Sequence, residues 1–286
     1  MRYEATHVTR YRYEEPVAQS LSQAHLMPRA FPGQRVIESK IDIQPEPAVF
    51  ERRKDYFGND VTTFAVFRSH DRMAVTCNSI VEIEPLPFLE ASISWEEARV
   101  RLAAHADEAS LEAYEFVFDS PYAGSSVELA KYAHEVFAPG RPLLEAAMQL
   151  SARINADFLY RPKSTSIDMP LAEVFANRRG VCQDFAHVMI GALRSLSLAA
   201  RYVSGYLRSN ANYQGAGASH AWVAVFIPGS GWLNLDPTNN VIPSDGHVTL
   251  AWGRDYGDVT PVKGITLGGG VQTVEVEVRV EACKLP

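Results

Sequence analysis

The stretch Gly180-Val181-Cys182-Gln183-Asp184-Phe185-Ala186-His187-Val188-Met189-Ile190-Gly191-Ala192-Leu193 decides how the rest of the chain is read. Cys182, Phe185, Ala186, Met189, Ile190, Leu193 and Leu196 recur at offsets 0, 3, 4, 7, 8, 11 and 14, one continuous face of a buried helix. Cys182 falls in the first turn, where unpaired N–H groups and the positive dipole end suit an anionic nucleophile. A lone buried cysteine ordinarily packs like an alanine. This one has potential partners downstream, which argues for chemistry instead. His187 is not among them: five residues along the helix it is rotated by about 140° from the thiol, so it reads as a packed or surface histidine.

Downstream, His220 heads an apolar run, Ala221 to Ile227, that reads as a central strand buried on both faces. Pro228 to Gly231 turns the chain, and Trp232 to Asp236 returns antiparallel, ended by Pro237. Register decides whether His220 and Asp236 can meet, because a one-residue slip flips the face. A four-residue loop pairs Ile227 with Trp232 and puts the two side chains on opposite faces. A five-residue loop pairs Phe226 with Trp232 and Trp222 with Asp236, leaving His220 a diagonal neighbour of Asp236 at roughly 7–8 Å between Cα atoms. We expect the second register, or a bulge of the same effect. Nucleophile, base and orienting carboxylate then stand in chain order, the set a thiol needs to act near neutral pH.

Outward from this centre, residues 1 to about 90 show strand-like runs at Tyr3–Tyr13, Val36–Ile43, Val61–Phe67 and Ala74–Ile83. Turn signals separate them at Pro32-Gly33, Pro45–Pro47 and Gly58-Asn59-Asp60. Pro85 and Pro87 mark a boundary. Helical patterns follow: one capped by Ser94 with Glu97 three residues on, then Ser126–Phe137, Pro142–Asn155 and Leu171–Asn177. Arg201–Leu207 reads as a strand, and Arg208–Ala218, with Gly215 and Gly217, as a mobile loop bordering the site. Val271–Val280 alternates Val with polar residues, as a half-solvated strand should. The division expected is 1–90 as an N-terminal β-sandwich-like domain, 91–245 as a catalytic core, and 246–286 as a C-terminal β extension packing on both.

Composition bounds the function. In 286 residues, 47% are hydrophobic and 21% charged, enough apolar material for a core. A net charge of -7 argues against nucleic-acid binding, whose affinity comes mostly from phosphate neutralisation. The run Arg52-Arg53-Lys54 reads as solvated loop charge. Cys77, Cys182 and Cys283 are odd in number and widely spaced, favouring free thiols in a reducing compartment over disulfides or a metal knot. Cys77 reads as core. With neither a leader-like apolar run at the N-terminus nor the roughly 18 apolar residues of a membrane span, we expect a soluble cytoplasmic protein.

The run from Gly180 to His187, continuing through Arg194 and Arg201-Tyr202-Val203-Ser204-Gly205-Tyr206, resembles the nucleophile segment of the bacterial transglutaminase-like superfamily. Ser219-His220-Ala221-Trp222 resembles its histidine motif, and Gly231-Trp232 to Asp236-Pro237-Thr238-Asn239-Asn240 its aspartate motif. Gly253-Arg254-Asp255-Tyr256, with Asp258 and Pro261, is similar to the segment that follows in bacterial members, and residues 1 to about 83 to their N-terminal β region. The resemblance implies an α+β papain/transglutaminase-like core, a helix bundle packed on an antiparallel sheet, with Cys182 as nucleophile, His220 as base and Asp236 as orienter. It implies action on amide bonds through a thioester, with water or an amine as acceptor. Ser197-Leu198-Ala199-Ala200 stands where the family commonly has Gly-Ile-Pro-Ala, so the nucleophile helix is expected to run longer or end less sharply. No Trp lies between Trp95 and Cys182, and nothing resembles a calcium loop; both lean away from a calcium-switched crosslinker.

The expectation is therefore thiol acyl transfer on a peptide, protein or small amide, with no cofactor, metal, nucleic acid or membrane partner. The Cys182 N–H is one oxyanion donor; Gln183 and Tyr206 are candidates for the second, though each also reads as structural. Trp222 and Trp232 either wall the acyl channel or pack the core, and Asp184 caps the helix start locally. Hydrolysis leads, amine transfer follows, and a non-catalytic binding module or an arylamine acetyltransferase-like enzyme are further alternatives. Substrate and oligomeric state stay open.

Overall fold

Tyr3, Ala5, His7 and Thr9 are buried in strict alternation with exposed or half-buried neighbours, the two-residue period of a strand with one face on a core. That strand organises the N-terminal half of the computed structural model, which describes residues 1–84, 93–105, 107–162, 164, 167, 169–209 and 213–283. β1 (Arg2–Ala24) is followed by β2 (Gln34–Gln44), β3 (Val49–Lys54), β4 (Asp60–Val66) and β5 (His70–Ile83). The first half of β1 pairs with β5; its last five residues, Ser20–Ala24, pair with β4. β2 extends the sheet beyond β5 and β3 beyond β4. β1 thus runs well past Tyr13, where the sequence reading ended it: its register on β5 breaks between Arg12 and Val17, and from Ser20 the strand pairs with β4 instead.

The helical layer begins after a segment that includes Pro85 and Pro87, which lie outside the described residues. Ser94 caps α1 (Trp95–Ala103), its Oγ accepting the Glu97 N–H at 3.2 Å. A short α2 (Glu108–Tyr114), unread in the sequence, is capped by Asp107. Ser126 caps α3 (Val127–His134), and α4 (Leu143–Asp157) starts directly after Pro142. A two-residue parallel pairing of β6 (Leu159–Tyr160) with β7 (Arg179–Gly180) brackets α5 (Leu171–Asn177). α6 (Cys182–Arg194) then packs against a second sheet of β8 (Ala200–Leu207), β9 (His220–Ile227), β10 (Gly231–Leu235) and β11 (His247–Gly253), ordered β10-β9-β8-β11. All eight residues of β9 are buried, as expected of a central strand. Ala221, Val223, Val225 and Ile227 join Phe185, Met189, Ile190 and Leu193 of α6 in the main core. Each of these side chains larger than Ala221 contributes about 1.5–3 kcal/mol when removed from water.

The sheets do not break at residue 246. β11 is a strand of the second sheet, whereas β12 (Val262–Gly268) and β13 (Gln272–Ala282) return to the N-terminal sheet and pair with β1. Two four-stranded wings, β2-β5-β1-β13 and β3-β4-β1-β12, therefore share β1. Between them lie Tyr13, Val17, Leu26, Ile41, Phe64, Met73, Val75 and Cys77. Only Val278 and Val280 of β13 reach a core; its earlier valines are exposed. The basic run Arg52-Arg53-Lys54 is on strand β3 rather than in a loop, exposed throughout, a charged edge that discourages pairing with other chains.

β11 is an edge of its own sheet, and two buried amide side chains of the N-terminal half pair with its backbone. Gln34 accepts the Thr249 N–H at 2.8 Å and donates to the Thr249 carbonyl at 2.7 Å; Asn59 does the same at Trp252, at 3.0 and 2.8 Å. The C-terminal end of α6 is fixed by Arg194. Its buried guanidinium donates to the carbonyls of Phe116, Ala123, Ala200 and Arg254 and to Ser120 Oγ.

α6 does not overrun. It ends at Arg194, and Ser197 takes the left-handed conformation, φ 58°, that Gly usually supplies. The Leu198 N–H reaches the Leu193 carbonyl at 3.1 Å and the Ser197 N–H the Arg194 carbonyl at 2.8 Å, the paired bonds of a Schellman stop. Tertiary packing imposes the stop on a residue that pays for it in strain. Ser197→Gly is therefore expected to stabilise the protein by about 1 kcal/mol, read as a raised denaturant midpoint at unchanged m-value; a lowered midpoint would show that the strain argument is wrong.

Candidate functional site

The hairpin register is the second of the two, although the ladder runs one pair further, with Gly231 opposite Ile227, so the connecting loop is the three residues 228–230. Trp232 lies opposite Phe226 and Leu235 opposite Val223, so Asp236 follows on the face of Trp222 and His220. His220 Nε2 and Asp236 Oδ2 are 2.8 Å apart, both groups fully buried. The carboxylate is held from all sides. Its Oδ1 accepts the backbone N–H of Thr238 at 2.9 Å and of Asn239 at 3.2 Å, an Asx turn closed by Pro237. Its Oδ2 also receives Asn239 Nδ2 at 2.8 Å and faces His247 Nε2 at 3.3 Å. Burial alone would raise the Asp236 pKa. The charge of His220 and the bonds from His220, His247 and Asn239 hold it instead well below the usual carboxylate range.

With Nε2 committed to Asp236, the other ring nitrogen of His220 is free for the thiol. Burial lowers the imidazole pKa, but the charges of Cys182 and Asp236 and side-chain hydrogen bonding to each raise it further, to about 10. Cys182 opens α6 at 8% exposure, enclosed yet not sealed. Beside it, Asp184 accepts the Val181 N–H at 2.8 Å, the local cap expected of it. The three side chains the sequence singled out are thus brought together around one imidazole.

The candidates for a second oxyanion donor fare differently. Gln183 is half-buried in the first turn of α6, next to the thiol in sequence. Tyr206 is buried against His7, ring centroids 5.5 Å apart, and feels the charge of Cys77 of the N-terminal sheet, away from the thiol. Trp222 directs its indole N–H to Asn234 Oδ1 at 3.3 Å and packs at 1% exposure with Val203 and Ala224. Gly205, paired with His220, makes room for that ring: a Cβ there would stand 2.3 Å from Trp222 Cη2. Tyr206 and Trp222 are therefore packing residues, the Trp222 ring lying 6.2 Å from that of His220. Trp232 likewise packs, stacked under the Arg201 guanidinium at 4.0 Å.

Two residues that the sequence reading passed over, Tyr160 and His247, border the site, together with Gly215 of the loop expected there. Tyr160, on β6, has its pKa raised to about 12 by burial and by the charges of Cys182 and Asp236, so it stays an O–H donor. Gly215, at φ 89°, lies against the free edge of His220: a Cβ there would sit 2.7 Å from Nδ1 and 3.5 Å from Tyr160 Oη. His247 adds its imidazole to Asp236 from β11. Asn239 had a legible cue, its place in the turn after Asp236; Tyr160 and His247 had none. Among the described residues, no group of three or more His, Cys, Asp or Glu side chains forms a metal cage, and no helix is long and apolar enough to cross a membrane.

Residues 3–82 match the bacterial transglutaminase-like N-terminal region, and residues 130–237 the transglutaminase-like superfamily. An uncharacterised protein of Mycobacterium tuberculosis is 37% identical over 278 residues, covering 92% of this chain and 87% of that one. The chain belongs to the transglutaminase-like superfamily. A candidate cysteine protease from Cytophaga hutchinsonii shares the fold over 100% of this chain and 92% of its own, with a TM-score of 0.80 at 20% identity. A protein-glutamine gamma-glutamyltransferase of Pseudomonas aeruginosa is 31% identical over 121 residues, 40% of this chain but 18% of that protein. The family motifs fall on α6, the head of β9 and the end of β10, the three places where the site is built.

His187 is oriented away from this chemistry, as its helix position implied. Its Nε2 accepts the Tyr256 N–H at 3.2 Å and its ring stacks on Tyr122, fixing the turn Tyr256–Asp258. Burial, partly opposed by Asp255, lowers its pKa to about 4. An unfolded histidine takes up its proton near pH 6.5. The stability tied to neutral His187 is therefore complete above pH 6.5 and is lost as pH falls toward 4. Urea titrations at intervals across that window should show a steep loss in wild type and a shallower one in His187→Gln; parallel curves would remove His187 from the account.

Proposed function

We propose that this protein is a thiol-dependent acyl-transfer enzyme acting on amide or peptide bonds, with water as its default acceptor. The observation that carries the reading is the division of labour on one imidazole: Nε2 is bound to a buried carboxylate, and the opposite edge is left to the thiol. Cys182 Sγ attacks the carbonyl carbon while its proton resides on His220; the C–N bond breaks as His220 gives that proton to the departing amine. Water then attacks the thioester, His220 taking its proton and returning it to sulfur. Asp236 stays ionised and holds the ring in the tautomer that presents Nδ1 to the thiol. The tetrahedral oxyanion is held by the Cys182 N–H and by the Tyr160 hydroxyl, the O–H donor within reach of the charges of both Cys182 and Asp236. Three free cysteines suit a reducing, cytoplasmic setting.

Amine transfer is the second reading, favoured by the similarity of the core to the Pseudomonas aeruginosa gamma-glutamyltransferase. Both readings are tested by incubating the protein with a glutamine-containing peptide, with and without a primary amine, and weighing the products. Free acid alone is expected; an amine conjugate would make it a transferase. Asp236→Asn should reduce turnover by about 10⁴-fold, the scale of the equivalent change in serine proteases. No product, with an electrophilic probe labelling wild type no faster than Cys182→Ala, would leave a binding module that retains the fold.

Tyr160→Phe removes one hydroxyl and little packing. It should lower kcat by about 10²–10³-fold with KM nearly unchanged, the cost of one oxyanion donor. A rise in KM alone would instead make Tyr160 a wall of the substrate site.

A further inference from the structure

Asn239 has two sets of partners. Toward the interior, its Nδ2 donates to Asp236 Oδ2 at 2.8 Å and stands 3.5 Å from His220 Nε2. Toward the surface, its Oδ1 accepts the Gln214 N–H at 2.7 Å and its Nδ2 faces the Gln214 carbonyl at 3.2 Å. The amide thus does for Gln214 what a neighbouring strand would do. The next residue, Gly215, rests on the thiol-facing edge of His220 and beside Tyr160. Further along, the Gly217 carbonyl accepts the Val278 N–H of β13 at 2.9 Å, so the segment is tied at both ends.

We propose that Asn239 is a positioning residue that couples the 213–217 segment to the Asp236–His220 pair. The same amide that fixes the carboxylate also sets the backbone walling the approach to the thiol. A displacement of that wall therefore costs Asp236 a donor, and a displacement of Asp236 releases the wall. The approach is shaped by backbone: at Gly215 any side chain would collide with His220 Nδ1. This rests on the acyl-transfer reading for its purpose, not for its geometry.

Two variants separate the two bonds. Asn239→Ala removes every side-chain bond; Asn239→Asp is isosteric, keeps the acceptor for the Gln214 N–H, and replaces the Nδ2 donor to Asp236 and to the Gln214 carbonyl by a second carboxylate. Amide hydrogen exchange at Gln214 and the alkylation rate of Cys182 by iodoacetamide are the readouts. Expected are loss of Gln214 protection in the Ala variant alone, and Cys182 alkylation slowed by about 10- to 100-fold in both. Gln214 equally protected in wild type and the Ala variant overturns the coupling, and so does an alkylation rate at the wild-type level in the Asp variant, since one bond then does nothing. The isosteric variant keeps the test readable should Ala weaken the turn. If Cys182 of wild type reacts no faster than Cys283, the acyl-transfer reading fails while Gln214 exchange still decides the coupling.

Discussion

A carboxylate cut off from water must be surrounded by donors, and Asp236 is the point on which this structure depends. Left alone, a buried charge costs several kcal/mol. Here backbone N–H groups of the turn after Pro237, the Asn239 amide and two imidazoles converge on it. Those donors come from β9, from the end of β10 and from the head of β11, so the strand order of the sheet is also the assembly of the site. The register of β9 against β10 is what makes this possible. One residue of slip would send Asp236 to the opposite face, leaving a buried charge without His220 and an imidazole without its orienter.

Amide side chains serve as substitute strands in three places. Gln34 and Asn59 each exchange two hydrogen bonds with β11, and Asn239 faces both backbone groups of Gln214. In each case one residue's backbone N–H and carbonyl are satisfied without another strand beside them. The consequence at β11 reaches the site. His247 sits at the start of that strand, two residues before Thr249, so the docking of the N-terminal half steadies one of the imidazoles that hold Asp236. β12 and β13 strengthen the attachment by pairing with β1 after the chain has completed the second sheet.

The α6 face and the His220–Asp236 register were readable because periodicity and loop length constrain them directly. Much of the rest was hidden for local reasons. β1 looked finished at Glu14-Glu15-Pro16, since a strand that changes partners at a register break resembles one that ends. β3 was masked by Arg52-Arg53-Lys54, because an exposed edge strand has no apolar alternation to read. The stop of α6 was misjudged because the sequence holds no Gly there, and only tertiary packing forces Ser197 into a left-handed conformation. Tyr160 and His247 are single polar residues in unremarkable contexts, brought to the site by β6 and β11, and no pattern in one sequence announces such a pairing.

Burial alone does not set the charge of the histidines in this protein; the partner does. His7 is buried with burial as the sole cause of its shift and His187 with the charge of Asp255 opposing burial only in part, and both are pushed down to about 4. His220 is buried just as deeply and is pushed the other way, because it lies between Asp236 and Cys182. His247 is the informative intermediate. It touches the same oxygen of the same aspartate, yet burial and the neighbouring charge of His220 lower its pKa. Two imidazoles around one carboxylate cannot both hold a full charge in so dry a site. The one that also faces the thiol takes it, and the other remains a neutral N–H donor. The sheet thus leaves the two rings in different charge states, the one beside Cys182 pushed up and the other pushed down.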